Sequence, residues 1–132
     1  MTRDDDTLCQ TDRPCILLVE DDPPVRRSLQ LLLRGKGFDV RAYADGGTLL
    51  NDPTIVQAAC FVTDLHMEGL DGMELLARLR ARGWHGPAVL ITGSPTPGLA
   101  DRAAAQGFSA LIEKPFRASA LTETVQKLTQ AA

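Results

Sequence analysis

The sequence has little that would put it in a membrane, outside the cell or on a zinc ion. No apolar run approaches the roughly 20 residues that a bilayer-spanning helix needs. Met1 to Asp12 carries four aspartates and no apolar core, so the start does not resemble a secretory signal. The three cysteines are an odd number without metal-like spacing, and Cys60 lies inside an apolar run. Reduced thiols in a cytoplasmic protein are the economical expectation. A basic excess is also missing: 14 Lys and Arg stand against 17 Asp and Glu, a net charge of −3. Nucleic acid and anionic membrane surfaces are therefore poor candidates for the principal partner. Internal repeats and interdomain linkers are absent. At 132 residues, with 44% hydrophobic and 23% charged, the chain suits one ordinary globular domain with one core.

What is present alternates. Cys15-Ile16-Leu17-Leu18-Val19 is apolar throughout and stops at Glu20-Asp21-Asp22, as expected of a strand buried on both faces. Pro23-Pro24 opens a helix whose stripe is Val25, Leu29, Leu32 and Leu33, ended by Gly35 and Gly37. Phe38 to Tyr43 reads as a second strand, and Asp45 to Asn51 as a short helix. Ala58 to Thr63 is a third buried strand ending at Asp64. Asp71 and Glu74 form a capping-box pattern for a helix to about Arg82. Pro87 to Thr92 is a fourth strand, Leu99 to Gln106 an alanine-rich helix, and Phe108 to Glu113 a fifth strand. A last helix carries Leu121, Val125 and Leu128. Five strands alternating with five helices imply an α/β fold, a parallel sheet with helices on both faces. Its site should lie outside the carboxyl ends of the strands.

The polar residues fit that rule. Glu20-Asp21, Asp64, Thr92 and Lys114 each stand where an apolar strand runs out, which brings them to one edge. Carboxylates gathered there repel one another unless a cation intervenes. An oxygen-rich set without thiolate suits a hard divalent ion, with Mg²⁺ the natural choice beside phosphate. A lysine and a hydroxyl nearby can hold phosphoryl oxygens. A carboxylate nucleophile completes a phosphoryl-transfer site.

Four motifs in order, Leu17-Leu18-Val19-Glu20-Asp21-Asp22, Asp64-Leu65-His66-Met67 with Gly69-Leu70-Asp71-Gly72, Ile91-Thr92-Gly93 and Lys114-Pro115-Phe116, make the chain resemble the receiver domains of bacterial two-component response regulators. The resemblance covers about Pro14 to Leu128. It implies a flavodoxin-like receiver fold with strand order 2-1-3-4-5. The organisation expected is a flexible tail over residues 1–13 and a receiver domain over 14–132. Asp64 would accept the phosphoryl group from a phosphohistidine on a sensor histidine kinase or histidine phosphotransfer protein. Asp21, Glu20 through water, Asp64 and the backbone carbonyl of His66 would hold Mg²⁺. Lys114 would pair with a phosphoryl oxygen or, before phosphorylation, with Asp64. Thr92 would carry the signal outward, Gly93 leaves room for the incoming group, and Pro115 is expected to follow a cis peptide bond. The protein is then a switch for a downstream protein target, catalysing only its own phosphorylation and dephosphorylation. It binds neither nucleic acid directly nor membrane. The sequence ends soon after the fifth helix, so no output domain is expected within it.

Three features depart from the family pattern. Leu111 stands where Phe or Tyr is frequent, Glu68 where proline is frequent, and Pro95 and Pro97 precede the fourth helix. Readout by loop and helix rearrangement, without an aromatic rotamer, is the expectation. Asp22 is expected to face solvent, Asp71 to cap a helix, and Asp4-Asp5-Asp6 to lie in a solvated tail. The His66 imidazole is expected on the site rim, Met67 and Met73 in the core, and Trp84-His85 in a loop. The alternatives are a degenerate receiver acting by contact alone, a haloacid-dehalogenase-like phosphatase and a flavodoxin-like cofactor binder. The phosphatase would need a second acid where His66 stands. The cofactor binder would need a phosphate-cradling glycine loop after strand one, where acids stand instead.

Overall fold

Side chains alternate across a strand, so a run that is apolar at every position needs cover on both sides. The computed structural model describes residues 13–130 and shows that cover. Strands β1 (Cys15–Val19), β2 (Asp39–Tyr43), β3 (Cys60–Asp64), β4 (Ala88–Thr92) and β5 (Ala110–Glu113) form one sheet in the order β2-β1-β3-β4-β5. Every pairing is parallel. The tail expected over residues 1–13 lies outside the described residues except for Arg13, as do the last two of the 132.

Ile16, Leu18, Cys60, Val62, Val89 and Ile91 point to one face. There they meet Leu29 and Leu33 of α1 (Pro23–Arg34) and Leu121 and Val125 of α5 (Ala118–Gln130). Leu17, Val19, Phe61, Ala88 and Leu90 point to the other. That face is covered by α2 (Gly46–Leu50), α3 (Gly72–Ala81) and α4 (Leu99–Gln106) through Leu49, Leu75, Leu76, Leu79 and Leu99. Met67 and Met73, expected in the core, are only partly buried and pack against the margin of this second cluster.

Helix ends explain where the strand boundaries differ from the sequence reading. Gly37, Gly83 and Gly107 each take a left-handed conformation, and each is followed by an aromatic residue. The N–H groups of Phe38, Trp84 and Phe108 donate back to the carbonyls of Leu33, Leu79 and Ala103, the closure that ends a helix. Phe38 and Phe108 thus belong to helix ends, and β2 and β5 begin only at Asp39 and Ala110. Trp84 is in a loop, as expected, yet only 3% exposed, because its ring is the apolar plug of that closure. A turn of 3-10 helix at Ile55–Gln57 delays β3 to Cys60. Asp71 caps α3 in a reciprocal box with Glu74, at 2.8 and 3.0 Å. Asp22 occupies the N-cap position of α1 but makes no side-chain cap bond and is exposed.

One expectation fails. Cys60 is a buried free thiol, its pKa pushed up to about 12 by burial. Cys15, however, is disulfide-bonded, so the reduced-thiol reading does not hold for all three. Cysteine spacing alone does not say which sulfurs meet in space.

Candidate functional site

The parallel sheet delivers the carboxyl ends of β1, β3, β4 and β5 to one edge, and five of the expected site residues meet there. Asp64 ends β3 and is 8% exposed. Its Oδ1 accepts the Leu65 N–H at 2.9 Å, and its Oδ2 accepts Lys114 Nζ at 3.1 Å. Lys114 follows β5 and also lies 3.7 Å from Glu20 Oε1. Glu20 is buried; Asp21 beside it is exposed. Carboxylate oxygens of Glu20, Asp21 and Asp64 lie within 4.8 Å of one another, a group able to hold a cation. The donor set is all oxygen, which fits a hard divalent ion.

Charge crowding marks both signs. Burial pushes the Glu20 carboxyl above its ordinary range, and the Asp64 charge adds to this; the Asp22 N–H at 3.1 Å and Lys114 pull partly the other way. Burial alone would lower the Lys114 ammonium, but its hydrogen bond to Asp64 and the charges of Asp64 and Glu20 hold it above the usual value.

Thr92 ends β4, fully buried, and its Oγ1 accepts the Ser94 N–H at 3.1 Å. The Lys114–Pro115 bond is cis. A Cβ on Gly93 would meet Lys114 carbons at 3.8 Å, an ordinary contact, so the resting site does not itself demand glycine there. The His66 side chain is exposed and its imidazole is not part of the carboxylate group. Glu68, on the same loop, is exposed. Leu111 is half-buried against the α3–α4 side of the core.

Two contributors were not legible in the sequence. Gly72 opens α3 so close to β3 that a Cβ there would come within 2.7 Å of the Asp64 carbonyl oxygen, and its N–H donates to the Leu65 carbonyl at 3.0 Å. Its place within a motif was the only hint. Arg26 donates Nη1–H to the Glu20 carbonyl at 2.9 Å. It reads in sequence as one more polar residue of α1, with no signal for this contact.

A five-stranded parallel α/β sheet with acids, a lysine and a buried hydroxyl at its carboxyl edge defines a phosphoryl-handling class of switch domain. The response regulator receiver domain family model matches residues 16–126, and the chain belongs to that family. It is 35% identical to the transcriptional regulatory protein FixJ of Azorhizobium caulinodans over 109 residues, 83% of this chain and 52% of FixJ. It is also 35% identical to the chemotaxis protein CheY of Pseudomonas aeruginosa over 118 residues, 86% of this chain and 94% of CheY. Full-length FixJ from B. japonicum superposes with a TM-score of 0.81 at 33% identity, over 91% of this chain and 59% of that one. The chain thus spans about half the length of the FixJ proteins it matches. It is a receiver domain of the two-component signalling type, and its acidic site speaks against the degenerate alternative. Among the described residues no helix is long and apolar enough to cross a membrane.

Proposed function

We propose that Asp64 accepts a phosphoryl group from a phosphohistidine on a sensor histidine kinase or histidine phosphotransfer protein, and that this switches contact with a downstream protein. The observation that carries the reading is the Asp64 carboxylate at the sheet edge, with Lys114 at 3.1 Å and the Glu20–Asp21 carboxylates within 4.8 Å. Glu20, Asp21, Asp64 and the main-chain carbonyl of His66 are the groups that would hold Mg²⁺. That ion would neutralise charge on the carboxylates and the incoming phosphoryl oxygens.

The chain's own residues do the rest. The Leu65 N–H fixes the Asp64 carboxylate, so one oxygen can approach phosphorus in line. The P–N bond of the donor breaks as the P–O bond to Asp64 forms, and the bonding pair leaves with the imidazole. Lys114 shifts its charge from the free carboxylate to a phosphoryl oxygen. Thr92 gives up its bond with the Ser94 N–H and turns its hydroxyl to the same group, drawing the loop before α4 with it. Leu111 has no ring to rotate, so the loop and α4 carry the change. Catalysis is confined to the domain's own phosphorylation and dephosphorylation, in the cytoplasm, with no direct contact to nucleic acid or membrane.

Incubation with Mg²⁺ and acetyl phosphate or beryllofluoride tests this. The expected result is one phosphoryl group per chain, lost on chelation and lost in Asp64→Asn. An inert wild-type protein, or labelling retained in Asp64→Asn, overturns the assignment.

A further inference from the structure

Arg26 is a second cation at the acidic edge, and phosphoryl transfer as derived above gives it no task. It lies half-buried in the first turn of α1 and bonds the Glu20 carbonyl just past the end of β1. Around it runs a ring of hydrogen bonds. The Glu20 N–H donates to the Tyr43 carbonyl at 3.1 Å, and the Arg26 N–H donates to the Asp22 carbonyl at 2.8 Å. The Asp22 N–H returns to Glu20 Oε2 at 3.1 Å. The Arg26 bond to the Glu20 carbonyl and the Asp22 N–H bond to Glu20 Oε2 hold the two peptide planes that flank Asp21, and the other two bonds anchor the segment on either side. Asp21 is the exposed member of the carboxylate group, so those planes do more than packing to set where its side chain points.

We propose that Arg26 is a positioning residue for the divalent-ion site. Its guanidinium holds the Glu20–Asp21 peptide so that the Asp21 carboxylate stays converged with those of Glu20 and Asp64. This rests on the reading that the three carboxylates hold Mg²⁺. Charge and geometry here have opposite signs. A fixed positive charge near a dication weakens its binding, so if charge were all, removing Arg26 would tighten Mg²⁺. If the hydrogen bond orders the ligands, removing it loosens Mg²⁺, as loss of a group that supports metal ligands does. Arg27, the next residue on α1 and exposed, supplies the charge control.

The experiment is calorimetric titration of the whole chain with Mg²⁺ alone, for wild type, Arg26→Met, Arg26→Lys and Arg27→Met, with melting curves in chelator. Arg26→Met is expected to weaken Mg²⁺ about tenfold, the low end for groups that support ligands from outside. Arg27→Met is expected to change affinity less than about twofold, since its charge is exposed and screened. Arg26→Lys should recover part of the loss, because an ammonium can donate one bond but lacks the planar fork. Arg26→Met binding Mg²⁺ as tightly as wild type, or more tightly, overturns the proposal. So does equal weakening by Arg26→Met and Arg27→Met. If Arg26→Met does not fold in chelator, Arg26→Lys decides, and wild-type affinity in it overturns the proposal. Wild type failing to bind Mg²⁺ would instead overturn the metal reading beneath it.

Discussion

Tyr43 is the chain's single tyrosine, and it ends β2 with its hydroxyl donating to Asp52 Oδ2 at 2.5 Å. Arg41 Nε donates to the same hydroxyl at 3.1 Å and its Nη2 lies 2.7 Å from Asp52. Burial first, then the neighbouring Asp52, raise the Tyr43 pKa to about 12 against the pull of Arg41. A raised pKa means the fold favours the neutral phenol. Its contribution is complete below the unfolded value of about 10 and is lost as pH climbs toward the folded value. Ultraviolet titration of the native protein should therefore show a tyrosine midpoint near 12; a midpoint near that of free tyrosine would refute the network. Tyr43→Phe should cost about 1 kcal/mol at neutral pH and flatten the alkaline decline in stability. At this scale the sequence was unequally legible. Asp64, Lys114, Thr92 and the Glu20–Asp21 pair stood out together: any one of them alone reads as an ordinary cap or turn residue, but four apolar runs of one parallel sheet deliver them to the same edge. Tyr43 and Asp52 gave no such signal, since the bond joining them exists only once β2 and the segment after α2 lie side by side.

Helices and strands were legible as periodicity, and their ends were legible only in part. The capping box at Asp71 was visible because both of its members are local in sequence. The aromatic closures after Gly37, Gly83 and Gly107 were not, because an aromatic after glycine reads equally well as the start of a strand. The closure at Trp84 has a further clamp. Arg80 donates to the carbonyls of Trp84, Gly86 and Gly107 at 3.2, 2.8 and 3.2 Å and lies over the Trp84 ring at 5.2 Å. It thereby ties the end of α3 to the start of β4 and to the end of α4. Arg80→Ala is expected to cost about 2 kcal/mol in denaturant unfolding and to red-shift Trp84 emission. Arg80→Lys should restore less than half of that, because an ammonium lacks the planar fork that spans these carbonyls while lying over the Trp84 ring. At the β4–α4 connection the element under test is the Thr92 hydroxyl, which accepts the Ser94 N–H. Thr92→Ala should still take the label on Asp64, yet beryllofluoride should no longer shift the resonances of the loop and α4. Shifts as large as in wild type would mean that the hydroxyl is not the coupling group.

For the whole molecule, the resting edge gathers three carboxylates against one lysine, so a bound dication should stabilise the folded state over the unfolded one. With free Mg²⁺ at 100 times its Kd the gain is about 2.7 kcal/mol. For a domain of this length that is roughly 10 °C in Tm. Scanning calorimetry with Mg²⁺ and with chelator checks it, and Asp21→Asn should shrink the difference; a Tm indifferent to Mg²⁺ would count against the site. The two covered faces and the convergence of acids, threonine and lysine at one edge were already determined by the sequence, while the strand order 2-1-3-4-5 was implied only by the resemblance of its motifs to receiver domains. Apolar runs must be buried, right-handed crossovers leave few ways to bury them, and each run ends in the residue it delivers. Tertiary structure alone decided what supports that edge. Arg26 reaches the Glu20 carbonyl, the missing side chain of Gly72 lets α3 close on Asp64, and Arg80 clamps Trp84. The reason is physical: these are contacts of a side chain, or of its absence, with backbone brought near by folding. A backbone carbonyl carries no mark in the sequence of which side chain will meet it. Asp64 is named by the end of its strand, whereas the shape of its surroundings is set by groups that meet only in the folded chain.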